Sequence, residues 1–281
     1  MDCDDIMTSR MERNMTEVSL TSLDGTRLAA SVYRPDGQPK SSALLVHGIM
    51  SEKTEGGLYD LLARRLAERD CITITLDLRG HGESEGDQTD FTLSGVLNDV
   101  VAASSYLDRL GSTIPRTLVG ASFGGGLSIY SAYHLIRVDQ LVLLNPRVNY
   151  RPWILESTLF YGDEINKDVQ SELKGNGYCE RRGFRIGRQL ANELATWNCT
   201  AELELLTVPF LVIHGNDDTT IPIDETRRFF SDKPNTILIE VPDAEHGFTD
   251  AETDDVQSPE TKRLRSQVVD DVTSWISREA K

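Results

Sequence analysis

Residues Gly120-Ala121-Ser122-Phe123-Gly124 present a serine in the spacing Gly-x-Ser-x-Gly. An apolar run, Thr117-Leu118-Val119, precedes it, and a helical pattern from Leu127 to Ile136 follows. Strand, tight turn and helix in that order can hold a nucleophile. The turn strains the serine backbone, while glycine at 120 and 124 lets strand and helix approach closely. Ser122 Oγ is then expected above the sheet at the positive end of the helix. The Phe123 N–H points to where an oxyanion would form. Ordinary glycine-rich turns also carry this pentapeptide, so the flanking elements carry the argument.

A serine hydroxyl is a weak nucleophile that needs a base, and the base needs an orienting carboxylate. Five histidines compete for the first role. His134 falls within a helical stretch among tyrosines, which suggests packing. His47, His81, His214 and His246 fall at strand ends or in loops, the places that share an edge with Ser122. On such a sheet the serine comes first along the chain, then the acid, then the histidine, which leaves His214 and His246. His214 has no strand-end carboxylate ahead of it, whereas His246 follows the loop Gly215-Asn216-Asp217-Asp218. His246 is therefore the expected base. Asp217 and Asp218 are adjacent and must point in different directions, so the residues alone leave the acid open between them. The second oxyanion donor is expected from the turn after His47-Gly48, through the N–H of Ile49.

The elements that must position these groups are legible as alternating patterns. Glu17–Ser22 and Arg27–Tyr33 flank Asp24-Gly25, a hairpin signal. Short Val/Ile/Leu-rich runs follow at 42–46, 71–76, 116–119, 140–144, 210–213 and 236–241, suited to a sheet buried on both faces. Amphipathic stretches lie between most of them, at 57–69, 93–110 and, at the end of the chain, 267–276. This alternation predicts an α/β fold: a mostly parallel, doubly wound sheet with an antiparallel N-terminal hairpin. The core is expected over 15–146 and 209–281, after a loose arm at 1–14.

The connection from 147 to 208 has no buried-strand signal, yet it carries Trp153, Leu155, Leu159, Phe160, Phe184 and Trp197. So long a structureless connection is improbable, and it is expected to form an inserted helical cap over the sheet edge. Trp153, Leu155, Leu159 and Phe160, nearest the strand end at Asn145-Pro146, are the expected substrate contacts.

At 281 residues, with 39% hydrophobic and 26% charged residues, the chain is globular. Its net charge of −16 disfavours nucleic acid and anionic membranes as partners. Arginine outnumbers lysine 22 to 7, a bias that fits salt adaptation or plain solubility equally. The acidic N-terminus lacks the features of a secretory signal, and no apolar run has the length of a membrane span. Four cysteines form no CxxC pair and no metal spacing. They are expected as free thiols in a reducing cytoplasm, without a Cys179–Cys199 bridge.

Taken together, His47-Gly48 with Ser51 and Lys53, Asp77-x-Arg79-Gly80-His81-Gly82-x-Ser84, Gly120-x-Ser122-x-Gly124-Gly125, His214-Gly215-x-x-Asp218-x-x-Ile221-Pro222 and His246-Gly247-Phe248 resemble an α/β-hydrolase. The resemblance is to the serine aminopeptidase/lysophospholipase-like type, close in pattern to small bacterial carboxylesterases such as the cinnamoyl esterases. It covers about Gly25 to Ile276, and it implies Asp218 as the acid and structural roles for His47 and His81. Phe123 departs from the Gln, Met or Leu that often follows the nucleophile, implying a more aromatic pocket floor.

The implied function is cleavage of a carboxylic ester or thioester through an acyl-serine, with no metal or organic cofactor. The partner is a small-molecule acyl ester or thioester, and the oligomeric state is open between monomer and homodimer. The same triad would serve an acyltransferase, a C–C bond hydrolase or a peptidase. A peptidase would want cap carboxylates, for which Glu156, Asp163 and Glu164 are candidates. A non-catalytic ligand-binding protein is the alternative of another class, but such proteins commonly lose a triad member and this chain keeps all three.

Overall fold

Alternating side chains along each strand split between two apolar layers, and this determines the architecture. In β3 (Ser41–Val46), Leu44 and Val46 join one buried cluster while Ala43 and Leu45 join the other. The computed structural model describes residues 14–111, 113–150, 160–161, 164–253 and 255–279. Eight strands form the central sheet, in the spatial order Met15–Thr21, Arg27–Tyr33, Cys71–Leu76, Ser41–Val46, Arg116–Ala121, Gln140–Leu144, Phe210–Gly215 and Thr236–Val241. The hairpin β1 (Met15–Thr21) and β2 (Arg27–Tyr33) runs antiparallel, and β2 also pairs antiparallel with β4 (Cys71–Leu76). The remaining pairs, through β5 (Arg116–Ala121), β6 (Gln140–Leu144), β11 (Phe210–Gly215) and β12 (Thr236–Val241), are all parallel. One face is covered by α1 (Leu58–Ala67) and the C-terminal helix (Pro259–Glu279). The other is covered by α2 (Leu93–Gly111) and α3 (Phe123–His134).

The expected strands recur with small changes in their ends. Burial on both faces holds for the inner strands but not for β12, where Ile237 is half exposed because it lies at the sheet's edge. Between β6 and β11 lie the helices α4 (Lys167–Asn176), α5 (Arg188–Thr196) and α6 (Thr200–Leu205). Two antiparallel ladders that the sequence did not signal join them: β7 (Phe160–Tyr161) with β8 (Glu164–Ile165), and β9 (Tyr178–Arg181) with β10 (Phe184–Gly187). The second ladder docks on the turn at Gln88–Asp90, where Arg185 N donates to Gln88 Oε1 at 3.0 Å. A Cβ at Gly187 would lie 2.2 Å from Thr89 O, so the approach needs glycine.

Candidate active site

The bend between β5 and α3 leaves Ser122 at φ 49°, in the left-handed region that favours glycine. Its neighbours make that bend possible. A Cβ at Gly120 would meet Gly124 O at 2.5 Å, and one at Gly124 would meet Val46 O at 2.4 Å. Serine is held there because its N–H donates to Leu144 O, and its own carbonyl accepts from Gly125 N and Arg147 N, all at 2.9 Å.

The loops after β11 and β12 bring the other groups to the same edge. Gly215 packs so closely that an added Cβ would lie 2.3 Å from Ala244 O, and Asp217 N donates to that carbonyl at 3.1 Å. His246 Nε2 consequently stands 3.0 Å from Ser122 Oγ, and His246 Nδ1 stands 2.7 Å from Asp218 Oδ2. Asp218 is buried and Asp217 exposed, so only one of the adjacent acids reaches the histidine. Asp218 Oδ1 accepts from Thr220 N at 2.9 Å and Ile221 N at 2.7 Å. His214 Nε2 lies 3.3 Å from Asp218 Oδ2, while His214 Nδ1 meets the Thr226 hydroxyl at 2.8 Å. Burial works to raise the Asp218 carboxyl, but the hydrogen bonds from His214 and His246 outweigh it and hold it well below the usual range.

The turn after β3 backs the serine: a Cβ at Gly48 would lie 3.1 Å from Ser122 Cβ. His47 accepts from Leu78 N at 3.0 Å through Nε2 and donates to Gly48 O at 2.7 Å through Nδ1. Burial, assisted by the nearby His81, pushes its pKa down to about 3, so it stays a neutral strut. His81 Nε2 accepts from Met50 N at 3.3 Å and ties the same turn to the loop after β4. Asp77 accepts from Lys53 N at 2.6 Å and Glu83 N at 2.9 Å, closing that loop. Glu55 accepts from Gly48 N at 2.7 Å. Burial raises its carboxyl above the ordinary range even against that donor. Ile49, the expected oxyanion donor, lines the cavity at Ser122 together with Phe123.

That cavity, about 210 Å³, is lined among the described residues by Ile49, Met50, Phe123, Arg147, Arg182 and Thr220 around Ser122 and His246. Phe123 is buried and packs edge-on against Tyr150 at 4.6 Å, with Phe91 at 5.7 Å, which makes the floor aromatic. Of the expected substrate contacts, Trp153, Leu155 and Leu159 lie outside the described residues, and Phe160 is described only as backbone of β7. His134 lies at the surface, its ring tilted against that of Tyr130 and 3.0 Å from Glu202, so it is only partly the packing residue expected. Cys71, Cys179 and Cys199 are buried free thiols, and Cys3 lies outside the described residues.

The sequence did not single out Arg147, Arg182, Thr220, Met50, Glu55 or the His214–Asp218 contact. Arg147 carried a usable signal, since it follows the strand end Asn145-Pro146 at the edge that holds Ser122. The others carried none.

No helix among the described residues is long and apolar enough to cross a membrane. The profile of the Alpha/beta hydrolase family matches residues 43–256. A monoacylglycerol lipase of Mycolicibacterium smegmatis is 26% identical, covering 93% of this chain and 96% of that protein. The monoglyceride lipase of Rattus norvegicus is 30% identical, covering 71% of this chain and 72% of that one. Among solved structures, Est1E from Butyrivibrio proteoclasticus with bound ferulic acid superposes at a TM-score of 0.74. It is 20% identical and covers 92% of this chain and 100% of that one, a likeness of fold.

Proposed function

The chain belongs to the alpha/beta hydrolase family, and on that premise we propose that it cleaves carboxylic esters through an acyl-Ser122 intermediate. The observation that carries this is the continuous relay Ser122 Oγ–His246–Asp218, at 3.0 and 2.7 Å. Ser122 Oγ attacks the ester carbonyl as its proton passes to His246 Nε2, and Asp218 stabilises the imidazolium. The negative oxygen of the tetrahedral intermediate turns to the N–H groups of Ile49 and Phe123. Collapse breaks the bond to the leaving alcohol, which takes the proton from His246. A water then repeats the sequence on the acyl-enzyme, releasing the acid and restoring the serine. The same steps serve a thioester, and they use only protein groups and water.

The relatives' names support acyl-glycerol esters as the first substrates to try. We assign residues 147–208 as the cap, with Trp153, Leu155, Leu159 and Phe160 as the acyl contacts. The buried free thiols support a reducing, cytoplasmic setting.

The test is fluorophosphonate labelling, located by peptide mass spectrometry, alongside hydrolysis of monoacylglycerols and 4-nitrophenyl esters. Labelling at Ser122 that disappears in Ser122→Ala, together with hydrolysis, is the expected result. A folded protein that neither labels nor hydrolyses any ester overturns the reading.

A further inference from the structure

Two arginines, Arg147 and Arg182, line the Ser122 cavity. Arg147 follows β6, is only 6% exposed, and is fixed by Thr220 O at 2.9 Å and Glu225 Oε2 at 3.2 Å. Arg182 comes from the β9–β10 hairpin and is exposed. Its neighbours in the hairpin are matched: Arg181 with Glu172, and Arg185 with Glu180 and Asp87. Arg182 has no ion pair among the described residues.

Two carboxylates near the cavity, among the described residues, are committed elsewhere. Glu225 pairs with Arg147, and Asp218 is enclosed by His214, His246 and two backbone N–H groups. Among the described residues the cavity therefore keeps one guanidinium, that of Arg182, without an acidic partner, on a chain whose net charge is −16.

Local structure makes arginine an unexpected choice at 182. Arg181 and Phe184 pair directly, so the hairpin turns through two residues, Arg182 at φ 51° and Gly183 at φ 81°. Turns with positive φ at both places favour Asn-Gly or Asp-Gly. A residue held against such a preference is a pointer to function when it also faces a reactive centre.

We infer that the cavity selects esters carrying a carboxylate or phosphate, with Arg182 as the selecting residue and the Glu225-paired Arg147 as a fixed second guanidinium. The guanidinium fork matches both anions, each of which offers two oxygens in one plane. This rests on the ester-cleaving reading above.

Two substrate pairs distinguish the sources of the anion. 4-Nitrophenyl hexanoate against mono-4-nitrophenyl adipate places it on the acyl side. A monoacylglycerol against the same compound phosphorylated on glycerol places it on the leaving group. In at least one pair the wild-type protein should show the higher kcat/KM for the anionic ester. Arg182→Asn suits the turn better while removing the charge, and it should cut the anionic-to-neutral ratio by about tenfold. Arg182→Lys should retain part of the preference. Added salt should shrink the ratio in the wild-type protein and leave it nearly unchanged in Arg182→Asn.

A protein that labels at Ser122 yet prefers the neutral ester in both pairs, or cleaves none of the four, overturns the inference alone. So does a ratio unchanged in Arg182→Asn. Failure to label and to cleave any ester overturns the ester-cleaving reading itself.

Discussion

Ser122 combines a backbone conformation that few non-glycine residues hold with a side chain 3.0 Å from an imidazole. Removing its hydroxyl takes away the proposed nucleophile and little packing. Ser122→Ala should therefore lower kcat by a factor on the order of 10³–10⁶ with an unchanged melting temperature; retention of a tenth of the activity would count against the assignment. The adjacent acids separate just as sharply. Asp218 is buried in four hydrogen bonds while Asp217 faces solvent, so Asp218→Asn should slow acylation far more than Asp217→Asn in single-turnover assays. The reverse order would move the acid by one residue. The Asp218 carboxyl also titrates below its unfolded value, about 3.9, so its contribution to stability is full above that value and is lost as pH falls through the folded one. Denaturation midpoints measured from about pH 5 to 3 should fall less steeply in Asp218→Asn than in the wild-type protein. At this scale residue type and chain order left both acids open, and the resemblance of the His214-Gly215-x-x-Asp218 motif pointed to Asp218. The choice depends on which carboxylate the loop turns inward.

Helix α2 begins beside α5, from the segment between β6 and β11, and α5 supplies its cap. The Glu193 carboxylate of α5 accepts from Leu93 N at 2.5 Å and Ser94 N at 3.3 Å, and from the Ser94 hydroxyl at 2.9 Å. A carboxylate at a helix N-terminus satisfies orphan N–H groups and opposes the helix dipole. Glu193→Ala should cost about 1 kcal/mol in urea unfolding, within the range of lost N-caps; an unchanged midpoint would show the cap to be replaced by water. Glu193 is 99 and 100 residues from the groups it caps, so no local pattern announces it. The β9–β10 ladder was illegible for a different reason. Its strands have four residues each, too few for alternation to stand out, and Arg182-Gly183 is not a strong turn signal. The proposed acyl contacts belong to this scale as well. Trp153→Ala and Phe160→Ala should weaken kcat/KM for long or aromatic acyl groups more than for acetyl esters, by roughly 10–200-fold in discrimination. A uniform shift across chain lengths would assign both residues to packing instead.

Over the whole molecule, a net charge of −16 means that the folded state brings like charges together. Added salt screens that repulsion, so the melting temperature should rise between about 0.01 and 0.5 M NaCl, and a flat or falling curve would show the surface charges to be locally compensated. The order of strands and helices, the parallel core with its antiparallel hairpin, and the elbow at Ser122 were all legible in the sequence. Each is written in short-range periodicity, or in glycines whose absent side chains permit close approach. The sequence also put His246 on the loop after β12, where its ring lies 3.0 Å from Ser122 Oγ. For the acid, the motif resemblance pointed to Asp218 where position along the chain left Asp217 equal, and nothing in the sequence said that His214 braces that acid or that Arg147 and Arg182 line one cavity. Those facts join residues from different loops, and only the packing of β5, β6, β11 and the β9–β10 ladder decides which side chains share a space.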